Sequence, residues 1–144
     1  MQPRTALVTG GNRGIGLEVC RQLARHGVGV LLGTRSLFRT KSAIEALRGD
    51  GLDVTAIELD ITRADHIDAA RDRIEQRFGG LDVLVNNAAV LRSEDTPLLE
   101  VPLDEVRATL DTNLVAQLAM CQAFVPQMMK RKFGRVVNVT SQAG

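Results

Sequence analysis

Two apolar patterns alternate along this chain. Short, nearly continuous apolar runs fall at 5–9, 28–32, 54–59, 82–85 and 135–140, each next to a glycine, aspartate or asparagine. Runs of this length predict strands buried on both faces. Between them apolar residues recur at helical spacing. Ile15, Val19 and Leu23 form one row, and Gly27 supplies a stop. Ser36 is placed to cap a second helix ending near Gly49. Thr62 and Asp65 read as a capping-box-like start for a third, whose face is Ile67, Ala70, Ile74 and Phe78 and whose end is Gly79-Gly80. A polar loop with two prolines covers 92–102, and the longest helix follows over 103–131. Leu103, Val106, Leu110, Leu114, Leu118, Cys121 and Val125 form one stripe on it, and Ala116, Ala119, Met120 and Ala123 a second apolar face. A helix apolar nearly all round is covered on more than one side. One side is expected to meet the sheet, the other either a second subunit or more of its own domain. Pro126 removes a backbone donor near the end and is expected to bend the helix there.

Strand–helix alternation implies a parallel sheet clothed by helices, with right-handed crossovers. The fold class is therefore α/β, a Rossmann-type doubly wound parallel sheet of order 3-2-1-4-5. Its ligand crevice is expected at the carboxyl ends of strands 1 and 4. The chain reads as a single domain over 1–144. The fifth strand would lie at the sheet edge, where bare valines are an aggregation hazard unless covered. That is the first physical reason to read the domain as C-terminally incomplete.

Composition adds mainly exclusions. Charged residues are 24% and hydrophobic residues 44%, with a formal net charge of +1 and both signs scattered. This gives no electrostatic case for nucleic acid or an anionic membrane. No apolar run is long enough to span a bilayer, and the amino-terminal apolar stretch is too short for a signal peptide. Cys20 and Cys121 sit in helical patterns and read as reduced core thiols of a cytoplasmic protein. His26 and His66 have no ligand-like companions, so no metal site is expected and both read as helix-surface residues. Glu94-Asp95 and Asp104-Glu105 are adjacent acids that point apart, which suits a solvated loop and a helix start.

The most informative stretch is ALVTGGNRGIG, residues 6–16, a glycine loop joining a strand to a helix. Gly10 permits a tight turn, and Gly14 and Gly16 let backbone and helix approach closely. The helix N-terminus offers unpaired N–H groups and partial positive charge to a pyrophosphate. No Lys-Ser/Thr pair follows, which excludes a Walker-type site. Dinucleotides with a free ribose 2′-OH want an acid at the end of the second strand. Here that strand runs into GTRS, with Arg35 and no carboxylate, and Arg13 adds positive charge inside the loop. Guanidinium pairs suit a 2′-phosphate, so NADP is favoured over NAD. The missing acid also counts against a methyltransferase, and TSQAG fails the nucleophile-elbow pattern of a serine hydrolase.

These segments together resemble the short-chain dehydrogenase/reductase family, in family order across the chain. TGGNRGIG, residues 9–16, is similar to its cofactor loop, which implies cofactor contacts at Gly10, Asn12, Arg13, Gly14, Ile15 and Gly16. LDIT, residues 59–62, resembles the segment whose Asp60 and Ile61 contact the adenine. LDVLVNNAA resembles the segment where Asn87 and Ala88 border the cofactor, with Ala89 in place of the usual glycine. That methyl is expected to narrow the space near the nicotinamide slightly. Asn113 and Ser141 match the helix asparagine and the serine of the catalytic tetrad. NRGIG, GTR and GGLDVLVNNA look most like the NADPH-dependent carbonyl reductase branch.

The resemblance implies an oxidoreductase that moves a hydride between NADP(H) and a small-molecule carbonyl or alcohol. Ser141 would donate a hydrogen bond to the carbonyl oxygen, and Asn113 would hold a water of the proton relay. The family's tyrosine–lysine pair and its last strands should follow Ser141, yet the sequence contains no tyrosine. The 144-residue chain alone is therefore expected to be catalytically incomplete. A homo-oligomer through the helix over 103–131 is the family expectation. The competing reading is a non-catalytic dinucleotide-binding or interaction module.

Overall fold

The computed structural model describes residues 3–141. Five strands, β1 (Thr5–Val8), β2 (Gly29–Thr34), β3 (Val54–Glu58), β4 (Val83–Asn86) and β5 (Arg135–Asn138), form one sheet. Its order is β3-β2-β1-β4-β5 and every pairing is parallel, as the alternating pattern requires. The helices are α1 (Gly14–Arg25), α2 (Leu37–Gly49), α3 (Ala64–Phe78), α4 (Leu103–Leu110) and α5 (Ala116–Lys130).

Successive residues of each inner strand serve opposite faces. Leu7, Leu31 and Leu84 enter one core with Ile67 and Ile74 of α3 and Met120, Phe124 and Met128 of α5. Val8, Leu32 and Val85 enter the other, against Cys20 of α1 and Ile44 and Leu47 of α2. Each large apolar side chain so buried stabilises the fold by roughly 1.5–3 kcal/mol. Burial pushes the Cys20 thiol up to about 12, which keeps it an inert core group. No described helix is long and apolar enough to cross a membrane.

The helices depart from the sequence expectations in four places. Ile15 is 66% exposed and does not share a face with the α1 core; the buried positions there are Gly16 and Cys20. Phe78 leaves the α3 face and is exposed, while Ile67, Ala70 and Ile74 stay buried. The Thr62–Asp65 capping box does not form. Arg63 is the N-cap and its side chain makes no capping bond, and Thr62 turns back to donate its N–H and hydroxyl to Asp60 Oδ1 at 3.0 and 2.7 Å. An Asx turn competes with a cap for the same short polar side chains, and here it wins.

The single long helix over 103–131 is broken. Between α4 and α5 lies a π segment, Asp111–Val115, in which the Ala116 N–H reaches back to Asp111 O. The face that meets the sheet and α3 is Ala116, Met120, Phe124 and Met128. The row Leu103, Val106, Leu110, Leu114 and Leu118 instead stands exposed. α5 runs on through Pro126 to Lys130. Arg131 then locks its end: one guanidinium nitrogen donates to Asp82 Oδ1 at 2.8 Å and another to the Leu81 carbonyl, while Asp82 Oδ2 accepts the Thr5 N–H at 2.9 Å. Among the described residues β5 pairs on one side only, with β4, and all its residues are exposed.

Candidate functional site

The carboxyl ends of β1 and β4 open onto a crevice of about 780 Å³, within the usual size of a ligand site. Its floor is the turn between β1 and α1. Gly10 has φ +60°, and a Cβ there would come within 3.0 Å of the Ala88 backbone. Gly16 is the close-approach glycine of the helix start, since a Cβ would meet the Asn87 side chain and lie 2.6 Å from Gly10 O. Gly14 differs from the expectation: its φ is +54°, but nothing lies within 4 Å of a Cβ, so it serves the turn and not a close protein contact. α1 begins at Arg13 without a side-chain cap, so no side chain bonds its first amides.

Thr9 welds the loop to the β4 end. Its hydroxyl accepts the N–H groups of Asn87 and Ala88, both at 3.0 Å, and donates to Val85 O at 3.3 Å. Asn87 Nδ2 answers by donating to the carbonyls of Thr9 and Gly10 at 3.0 and 3.1 Å. The two segments that meet here are about 78 residues apart in sequence. The polar partners that the sequence pattern places at strand ends thus brace one another.

One wall is basic. Arg13 and Arg35 line the crevice, and so does Arg39 on the first turn of α2, a third guanidinium that sequence reasoning missed. Its signal was only its position, one helical turn beyond Arg35. The turn after β3 adds Leu59, Asp60, Ile61 and Thr62 to the lining. Burial pushes the Asp60 carboxyl up, but the Thr62 hydroxyl and N–H, with the fields of Arg35 and His66, outweigh it and hold it below the ordinary carboxylate value.

Every residue expected at the cofactor lies on this crevice: Gly10, Asn12, Arg13, Gly14, Ile15, Gly16, Arg35, Asp60, Ile61, Asn87 and Ala88. Ala89 and Val90 continue the lining toward the π segment, where Thr112 reaches it. Asn113 and Ser141 do not line it. Asn113 spends both ends of its amide on Val90, accepting the N–H and donating to the carbonyl, each at 2.8 Å. A π turn carries an extra residue and is frequent at functional sites; here it presents Asn113 to the loop after β4. Ser141 is exposed, three residues past the end of β5.

The family model of the short chain dehydrogenase matches residues 4–144. Human carbonyl reductase [NADPH] 3 is 44% identical over 140 residues, covering 96% of this chain and 49% of its own length. The 3-oxoacyl-[acyl-carrier-protein] reductase FabG of Staphylococcus aureus is 34% identical over 142 residues, covering 98% of this chain and 57% of its own. The crystal structure of a metagenomic short-chain oxidoreductase in complex with NADP superposes with a TM-score of 0.90 at 31% identity, over 97% of this chain and 63% of that one. The chain spans about half the length of the curated relatives it matches. A basic glycine-floored crevice at the switch point of a 3-2-1-4-5 sheet, matched along the whole chain by that family model, places this chain in the short-chain dehydrogenase family.

Proposed function

We propose that these residues form the cofactor-binding half of an NADP(H)-dependent oxidoreductase acting on a carbonyl or alcohol. The observation that carries the reading is the crevice itself, glycine-floored at an uncapped helix start and flanked by Arg13, Arg35 and Arg39. A pyrophosphate needs backbone donors at close approach, and the open space beside Gly14 admits it. A 2′-phosphate needs guanidinium groups where an NAD-specific site carries an acid. The relatives support the choice, one bearing NADPH in its name and another solved with NADP.

The nicotinamide of the bound cofactor supplies the hydride. The chain's own residues bind and orient. The first turn of α1 faces the pyrophosphate, the three arginines face the adenosine phosphate, and Asp60 and Ile61 border the adenine. Asn87, Ala88 and Ala89 border the nicotinamide end. The Asn113 amide is committed to Val90, so in this reading its side chain holds the loop and any relay water rests on main-chain carbonyl. Ser141 supplies a hydrogen bond to the reacting oxygen, and a tyrosine and lysine come from the portion that the relatives have and these residues do not. Free Cys20 and Cys121 accord with a reducing, cytoplasmic setting. The exposed row of Leu103, Leu110, Leu114 and Leu118 is the surface for self-association; a monomer in sedimentation at all concentrations would remove that part.

Calorimetry with NADPH and NADH tests the cofactor reading. Arg35→Asp should weaken NADPH by about 30-fold or more, from loss of a charge-assisted pair of roughly 1.5–3 kcal/mol and added repulsion, and leave NADH nearly unchanged. Equal losses for both cofactors would show that Arg35 does not read the 2′-phosphate.

A further inference from the structure

His66 reads from sequence as a surface residue of α3, and the structure gives it a partner. Its Nδ1 accepts the N–H of Asp60 at 3.2 Å, back across the helix start. The rest of that turn is already tied. The Asp60 carbonyl accepts the Arg63 N–H at 3.1 Å, and Asp60 Oδ1 holds Thr62. Ile61 is pinned in the core below. The imidazole adds a restraint on the Asp60 amide, at the point where Asp60 and Ile61 line the crevice.

We propose that His66 is a positioning residue for the adenine end of the site: its unprotonated Nδ1 holds the Asp60 amide and so sets the backbone of the Asp60–Ile61 wall. This rests on the dinucleotide reading above. Only a ring nitrogen without a proton can accept from an N–H, so the neutral Nε2–H tautomer is the working form. Protonation would set a donor against a donor and release the turn. The carboxylates whose fields couple to the ring are Asp60 on the turn and Asp65 on α3; Arg63 pairs with Asp65, Glu58 at the end of β3 acts on Arg63, and Arg35 acts on Asp60.

Three proteins separate the idea from a general loss of structure: wild type, His66→Ala and His66→Asn. Asparagine places an oxygen acceptor where Nδ1 stands and does not titrate. NADPH affinity by calorimetry should fall about 3- to 10-fold in H66A, the worth of one hydrogen bond, and return to within about 2-fold in H66N. In the ligand-free chain, amide exchange at Asp60 should quicken several-fold in H66A and recover in H66N. Unchanged NADPH affinity in H66A, or H66N as weak as H66A, overturns the proposal. Exchange that follows the expected order while wild type binds no NADPH would sink the cofactor reading and leave only the Asp60 anchor.

Discussion

Thr9→Val tests the brace between the glycine loop and the end of β4. Valine matches threonine in shape, so the substitution removes the hydroxyl without opening a cavity. Thr9 is 2% exposed, and its oxygen serves the N–H groups of Asn87 and Ala88 together. A buried donor left unpaired costs about 1–3 kcal/mol. Two such donors give about 2–6 kcal/mol, and the half-buried state of Asn87 and Ala88, which lets some water in, lowers the expectation to about 2–4. That is a large part of the roughly 5–15 kcal/mol by which a domain is stable. With a urea slope of about 2 kcal/mol/M, the middle of the usual range, the unfolding midpoint should drop by about 1–2 M at constant slope. Thr9→Ser keeps the hydroxyl and loses one methyl, for about 0.5–1.5 kcal/mol. Should the valine variant unfold within about 0.5 kcal/mol of wild type, or the serine variant suffer as much as the valine one, the hydroxyl is not the brace.

Three further outcomes follow from the glycine loop, the end of α5 and the turn after β3. Gly16→Ala sets a methyl against Gly10 O and the Asn87 side chain; a cost of about 1–3 kcal/mol should appear in denaturant unfolding, with NADPH binding lost alongside. Lys132 holds φ +54° just past the end of α5, where side chains are strained; Lys132→Gly should raise stability by about 0.5–1 kcal/mol and the melting temperature by about 2–4 °C. The depressed carboxyl of Asp60 contributes stability that is present above its unfolded value, near pH 4, and is lost as pH falls through the lower folded value. Acid unfolding of Asp60→Asn should lack that component, and a profile parallel to wild type would contradict the assignment.

The sheet order was legible because buried parallel strands are written as short apolar runs, and the glycine loop because a positive φ at Gly10 leaves few other residues able to stand there. Strand ends were less clear: β2 runs two residues past the expected Leu32, since Gly33 and Thr34 pair with Ile57 and Glu58 without looking apolar. The helix over 103–131 was misread for a definite reason. A stretch apolar on all sides carries no phase, so nothing in it announces the extra residue at Asp111–Val115 or selects Met120 and Phe124 over Leu114 and Leu118 for the core. Thr9 looked like the end of a strand and His66 like solvent-facing helix. Their roles depend on partners brought in by the fold, which a local pattern does not record. Arg39 was hidden the same way, in the first turn of an otherwise ordinary helix.

The central strand is made first and completed late. β1 finds β2 about two dozen positions on, but its other flank waits for β4, and the Thr5 N–H meets Asp82 across 77 residues. At synthesis rates of about 5–20 residues per second, roughly 4–15 s separate the synthesis of Thr5 from that of Asp82. Through that interval Ala6, Leu7 and Val8, each fully buried at the end, lie beside an open seam. The nascent chain is thus most vulnerable near its beginning, and chaperone demand should track how quickly the segment around Val83–Asn86 leaves the ribosome.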